Sequence, residues 1–307
     1  MNIVENNTAG DPMGYKGFWT HLKINDIKDK LEEKKISVSR FVVSKLLSFN
    51  GLSMKKLLKY DTIKEVSGRD EQFKNINNLI EEAKKTGVVI LSIDTKKKES
   101  LGNLYRAGKV FCTEAMTCYD HDYPNLRKGL ICPYGIYDFI KNEGYINLSS
   151  SKDTAEFSCD SIEWWFNNYG FKYYGKMKSI LLLCDGGGSN SSSHHVFKEN
   201  LQKLSNKLGL EIRIAHYPPY CSKYNPIEHR MFPHVTRALE GVTLDSMETI
   251  KSLIQEKAKT VQGLKVFVNI VDKVYETGKR ASKEFLDNYT IKFDKNLKKW
   301  NYCVTPF

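Results

Sequence analysis

Short unbroken apolar runs alternate along this chain with segments of helical period, and the runs set the plan. Val88 to Ile93 is apolar but for Ser92 and rich in β-branched residues, which predicts a buried strand. It ends in Asp94, and strand ends of this kind are where α/β folds keep their chemistry. Ile180 to Cys184 repeats the design, ending in Asp185 and then Gly186-Gly187-Gly188. Between these runs, Ile131 to Ile140 and Gly144 to Leu148 predict two strands joined as a hairpin around Asn142 and Glu143. Glu211 to His216 predicts a fifth strand, ended by Pro218-Pro219.

Helical period fills the gaps. From Glu71 to Lys85, Phe73, Ile76, Leu79, Ile80 and Ala83 mark an amphipathic helix that leads into the first strand. Residues 154–169, 196–208 and 224–239 also predict helices, and the chain from about Ser246 predicts helical segments with a lysine-rich tail. Near the N-terminus, Leu22, Ile27 and Leu31 share a face. Ser37-Val38-Ser39 then opens a second helix, and Asn50-Gly51 stops it. Two short helices around a tight turn fit a helix-turn-helix, whose second helix enters the major groove. Ser39, Arg40, Ser44 and Lys45 would then face DNA; the competing reading is an ordinary helical hairpin. Leu52 to Tyr60 predicts a third short helix or a wing, and Gly10-Asp11-Pro12 and Gly14 predict turns. The resulting plan is a helical region over residues 1–70 and an α/β layer domain over 71–307.

Composition narrows the function. With 41% hydrophobic residues the 307-residue chain supports a sizeable core. No run reaches the ~18 apolar residues of a membrane span, and the polar N-terminus lacks a secretory apolar segment. Seven scattered cysteines without a CxxC pair read as reduced thiols of a cytoplasmic protein. Forty-seven Lys and Arg against 36 Asp and Glu give a net charge of +11, which favours polyanions, nucleic acid above all.

Three acids stand out by context. Asp94 and Asp185 end core strands, and Glu228 lies in the polar segment after the fifth strand. They are far apart in sequence, so only the fold can unite them. Hard oxygen ligands of this kind suit two Mg²⁺ (or Mn²⁺) ions acting in phosphoryl transfer. Clustered without ions, they would repel one another. Lys96, Lys97 and Lys98 after the first acid, and Lys223 and Arg230 around the third, are the expected phosphate contacts, although Lys96 to Lys98 also read as a solvated face. The three glycines match neither GxxxxGK[ST] nor GxGxxG, so a nucleotide loop is disfavoured. Cys112, Cys118, His121 and Cys132 are too loosely spaced for a zinc set. His216 and His229 read either as groups that contact phosphate or orient Glu228, or as structural histidines.

Several stretches carry a family likeness: Gly10-Asp11-Pro12, Arg69 to Phe73, Ser92 to Glu99, Tyr119 to Asp122, Pro133 to Asp138, Asp153-Thr154-Ala155, Cys184 to Asn190, His216 to Pro219 and Ser222 to Arg230. In these the chain resembles DDE-type insertion-sequence transposases of the ISAzo-type group. The resemblance implies an α/β fold with a ribonuclease-H-like mixed five-stranded sheet flanked by helices, preceded by a small all-α helix-turn-helix domain. It implies that Asp94, Asp185 and Glu228 form a metal-dependent catalytic triad. Cleavage at insertion-sequence ends and strand transfer into target DNA would follow, on double-stranded DNA, by a homodimer or higher oligomer associated with the nucleoid. The alternatives are a nuclease of the same fold without strand transfer, or an inactive DNA-binding remnant. Two departures stand out. Relatives carry a further helical segment upstream of Gly10, so a truncated or split product is expected. Pro226 replaces a lysine common in the group, which bears on a phosphate contact or helix start rather than the triad.

Overall fold

The computed structural model describes residues 8–9, 19–20, 22–55, 66–120, 123–295 and 297–307. The turns expected at Gly10-Asp11-Pro12 and Gly14, most of the expected helix or wing at 52–60, and His121 lie outside these residues. The chain divides into two compact units, residues 1–63 and 64–307.

The first unit holds β1 (Thr8–Ala9), β2 (Trp19–Thr20), α1 (Ile24–Glu33) and α2 (Arg40–Phe49). The expected helix pair is present. Asp26 Oδ2 accepts from the Lys23 amide at 2.7 Å and Ser39 Oγ from the Val42 amide at 3.3 Å, so each helix start is capped by a side chain. Ile27 and Val43 form its small core, with Leu22, Leu31, Val38 and Leu47 packed against them. The unit is not all-α, however: β1 pairs antiparallel with β2. Two-residue strands are too short to show any alternation, so no periodicity marks them in the sequence. Of the apolar residues expected inside α2, Phe41 is 66% exposed, and Val42 and Leu46 are also exposed.

In the second unit α3 (Arg69–Thr86) leads into β3 (Val89–Thr95) and β4 (Glu99–Leu101). β5 (Gly129–Asp138) and β6 (Glu143–Ser149) follow as a hairpin. Its turn is set by Asp138, which accepts from the amides of Ile140 and Lys141 at 3.0 Å each, and by Asn142 at φ 56°. α4 (Ala155–Trp165) runs through a π-helical turn, Phe166–Gly170, into the short α5 (Phe171–Tyr174). Then come β7 (Ser179–Cys184), α6 (His195–Leu208), β8 (Glu211–His216), and the short helices α7 (Pro226–Arg230) and α8 (Phe232–Ala238). The chain closes with α9 (Met247–Lys257), β9 (Lys265–Val271), α10 (Lys283–Asp287), β10 (Lys292–Phe293) and β11 (Asn301–Val304).

The five expected strands lie in the order β6-β5-β3-β7-β8. β5 runs antiparallel to both β3 and β6, while β3, β7 and β8 are mutually parallel. This is the ribonuclease-H-like arrangement. The sheet is larger than expected: β9 extends one edge beside β6, β11 and β10 extend the other beside β8, and β4 pairs with β5. The C-terminal stretch expected to be helical therefore supplies three strands. They occupy both edges, where the five-stranded sheet would otherwise leave unpaired amides and carbonyls. In β9, Val266, Val268 and Ile270 alternate with other residues at a strand's period.

Both faces of the sheet are covered, which is why Val89 to Leu91 and Ile93 of β3 are apolar and buried. Leu91 and Ile93 pack with Phe157, Trp165, Phe197 and Leu201 of α4 and α6. Ile90, on the opposite face, packs with Ile76 and Ile80 of α3 and with Leu181 and Leu183 of β7. Further along that face, Tyr137 and Ile146 pack with Ile227, Met231 and Val235 of α7 and α8. Ser92 and Asp94 share the parity of Ile90 and so belong to the α3 and α7 face; Thr95 shares the parity of Ile93 and belongs to the α4 face.

Candidate active site at the strand ends

The first two acids are brought together by strand register. β3 and β7 are parallel neighbours, and their last ladder pair is Ile93 with Cys184. Asp94 and Asp185 each follow by one residue, so two carboxylates stand side by side at the C-terminal end of adjacent parallel strands. Gly186 and Gly187 then carry the chain away, and the Gly187 amide donates to Asp185 Oδ1 at 3.4 Å.

The third acid comes from a separate element that is pinned to β3. Ser92 Oγ donates to Asn225 Oδ1 at 2.5 Å and accepts from the Ile227 amide at 2.9 Å. Asn225 Nδ2 donates to the Ile93 carbonyl at 3.1 Å. Ser92 and Asn225 are wholly buried, so these bonds replace water that neither residue can reach. Pro226 fills the first position of α7, where a missing amide is harmless. Glu228 follows in the first turn of α7. A glycine makes room for this helix: Gly135 of β5 pairs with Asp94, and a Cβ there would lie 2.6 Å from Phe232, 2.8 Å from Ile227 and 2.9 Å from Met231.

Electrostatics register the convergence. Burial, reinforced by the charges of Asp185 and Glu228, pushes the Asp94 carboxyl up to about 8, against the pull of the Thr95 amide. Burial also raises Asp185; the Gly187 amide opposes this, while Glu228 and Asp153 add to it. Among the described residues no ion pair joins either acid to a Lys, Arg or His side chain. Among the described residues no three His, Cys, Asp or Glu side chains stand close enough to cage a metal as they are. The donor set nonetheless fits a hard divalent cation: carboxylate oxygens at one strand edge, mutually repelling and without a cationic partner.

The surrounding groups are sorted by the fold. His216 does not approach Glu228. It is wholly buried, with Nδ1 2.9 Å from the Asp185 carbonyl and Nε2 3.1 Å from the Tyr302 hydroxyl. Burial lowers it to about 4, so it is neutral at physiological pH and braces the backbone of Asp185. His229 is exposed. Lys97, Lys98, Lys223 and Arg230 are exposed, as are Arg40, Ser44 and Lys45 on α2. Lys96 departs from the expected DNA-facing set. It is 7% exposed and bonded to Glu99, which is equally buried and also holds Arg106 at 2.7 Å. The charge of Lys96 is thus spent inside the protein. Lys97, Lys98, Tyr105 and Arg106 line a cavity of about 520 Å³ that reaches Glu228.

Ser92, Gly135, Asp153 and Asn225 lie in stretches that carry the family likeness, but no role was expected of them, nor the bracing role of His216. Asn225-Pro226 before a helix start was a local signal for a helix boundary, but its partner on β3 had none.

A family model described as the Rhodopirellula transposase DDE domain matches residues 1–306. A comparison with curated proteins gave no match. Among solved structures, the Mos1 transposase paired-end complex with left transposon end aligns at a TM-score of 0.46 and 17% identity, over 75% of this chain and 65% of that one. The Mos1 strand transfer complex aligns at 0.45 and 18%, over 75% and 64%. The Mos1 mariner paired end complex with Mn aligns at 0.44 and 17%, over 81% and 72%. The chain thus spans about 65% of the length of the first of these. With its whole length matched by one family model, the chain belongs to the family of the Rhodopirellula transposase DDE domain, the ISAZ013 type of DDE transposase.

Proposed function

We propose that this chain cleaves DNA at insertion-sequence ends and transfers the cut strand into target DNA, with Asp94, Asp185 and Glu228 as catalytic groups and metal ligands. One observation carries this reading: two acids stand in register at the ends of neighbouring parallel strands, and a helix pinned to one of those strands carries the third. Asp94 and Asp185 would hold two Mg²⁺ or Mn²⁺ ions between them, with Glu228 on the second. Bound there, the ions supply Lewis acidity and lower the pKa of water. The chain's own part is positioning. The sheet fixes two carboxylates, the Ser92–Asn225 contact fixes the third, and Gly186 to Gly188 keep side chains out of the approach to a phosphodiester. Hydrolysis at the element end leaves a 3′-hydroxyl, which then attacks the phosphorus of a target phosphodiester in the same site and displaces the target's 3′-oxygen.

DNA binding follows from the exposed basic groups. Arg40, Ser44 and Lys45 of α2 are offered to the major groove as the helix-turn-helix reading requires, and Lys97, Lys98, Lys223 and Arg230 to phosphates. Pairing of two element ends calls for a homodimer or larger assembly on DNA, which places the protein at the nucleoid.

Purified protein incubated with Mg²⁺ and DNA carrying the element's ends should nick at the ends and join them to a second duplex. Asp94→Asn and Glu228→Gln should abolish both steps. Nicking without joining would reduce the function to that of a nuclease, and full activity of either variant would overturn the triad.

A further inference from the structure

Glu228 approaches the strand ends from one face of the sheet. A fourth carboxylate approaches from the other. Asp153 lies just before α4, whose N-cap is Thr154, and α4 packs on the face to which Thr95 belongs. Thr95 Oγ1 donates to Asp153 Oδ1 at 3.1 Å. The amide of the same threonine donates to Asp94 Oδ1 at 2.7 Å. A single residue thus joins the two acids, with its hydroxyl on Asp153 and its amide on Asp94.

We propose that Asp153 is a positioning residue for the metal-binding carboxylates: through Thr95 it fixes the end of β3 and the orientation of Asp94. The inference rests on the reading of Asp94, Asp185 and Glu228 as a metal site. The physical argument is directional. Asp94 is the last buried position of β3 and Thr95 is only half-buried, so the strand end is the place where the backbone would fray first. An acceptor at the start of α4 ties it to a helix that is anchored in the main core through Phe157, Ile162 and Trp165. With Thr95 held, its amide keeps Asp94 Oδ1 occupied and leaves Oδ2 as the oxygen for a ligand. No ion pair to Asp153 occurs among the described residues.

The test separates position from charge. In the full chain, Mn²⁺ binding is measured by calorimetry, and thermal stability is measured in chelator as a control for folding. Asp153→Asn keeps an acceptor for Thr95 but loses the charge; Thr95→Val keeps the shape but loses the donor. Thr95→Val and Asp153→Ala are expected to weaken Mn²⁺ binding about tenfold while the melting temperature in chelator stays within a few degrees of wild type. Asp153→Asn should weaken it less than Asp153→Ala, and Asp153→Glu should recover part of the loss. Mn²⁺ affinity unchanged in both Thr95→Val and Asp153→Ala would overturn the inference, as would losses fully matched by lowered stability in chelator. Asp94→Asn is run beside them. If it abolishes Mn²⁺ binding while Thr95→Val and Asp153→Ala do not alter it, only the role of Asp153 falls; if Asp94→Asn binds Mn²⁺ normally, the metal site itself is wrong.

Discussion

Ser92 and Asn225 are bonded side chain to side chain at 2.5 Å in a fully buried setting, although they lie 133 residues apart in the sequence. The contact joins the strand that carries Asp94 to the helix that carries Glu228. Each partner has a second bond into the other's element: Ser92 to the Ile227 amide and Asn225 to the Ile93 carbonyl. Buried polar pairs of this kind add little net stability, because making them exchanges bonds to water for bonds within the protein. Their value here is geometric.

Asn225→Leu, close in size but unable to make either bond, should therefore strand Ser92 Oγ and the Ile93 carbonyl. The expected loss is about 1–3 kcal/mol of stability in urea unfolding. Metal-dependent nicking should fall by more than stability explains, at a temperature where the variant remains folded. In a double-mutant cycle with Ser92→Ala the two changes should be strongly non-additive. Additive effects would show that the pair does not work as a unit.

The shift of Asp94 fixes a sign for metal-free stability. Its folded pKa of about 8 lies above its ordinary value of 3.8, so the folded state keeps a proton that the unfolded state releases. That contribution is fully present below about pH 4 and is lost as pH rises through 8, with a slope of at most about 1.4 kcal/mol per pH unit. In chelator, Asp94→Asn should flatten this dependence and melt higher than wild type at pH 9. Added Mg²⁺ should raise the wild-type melting temperature at pH 9 and leave that of Asp94→Asn unchanged. Melting curves across pH with and without Mg²⁺ read all three expectations.

Gly135 tests how closely α7 must lie on the sheet. A methyl group there meets Ile227, Met231 and Phe232 at under 3.0 Å, and all three side chains are buried. Gly135→Ala should destabilise the fold by about 1–3 kcal/mol, the usual effect of overpacking. It should also displace Glu228 relative to Asp94, so nicking should fall while DNA binding in chelator is retained. Equal nicking rates in variant and wild type would show that α7 tolerates a shift.

The five lysines expected to meet DNA divide by burial: Lys45, Lys97, Lys98 and Lys223 are exposed, and Lys96 is buried. Neutralising a phosphate-contacting lysine lowers the slope of log affinity against log salt by about 0.9. Lys97→Ala, Lys98→Ala and Lys223→Ala should each do so with little change in stability. Lys96→Ala should do the reverse: the salt slope stays, and stability falls by up to about 3 kcal/mol, because Glu99 loses its buried cationic partner and keeps only the half-buried Arg106. Salt-titrated binding alongside thermal melting separates the two classes.

The sequence alone determined the local elements and the candidate acids. β3 and β7 were legible because strands buried on both faces are apolar at most positions, and each run ends in its aspartate. The hairpin, the amphipathic α3 and the paired helices α1 and α2 were legible from period and caps, which are local properties. The C-terminal strands were not. β10 and β11 are short, and β9 is set within charged surroundings, so their pairing depends on open edges that exist only once the central sheet has formed. Tertiary structure alone decided the rest. Register between β3 and β7 set Asp94 beside Asp185, and the Ser92–Asn225 bond brought in the helix of Glu228. Thr95 tied in Asp153, and Glu99 drew Lys96 away from the surface. A residue's type shows what it can bond, but its partner is chosen by packing between segments distant in the chain, and no local pattern encodes that choice.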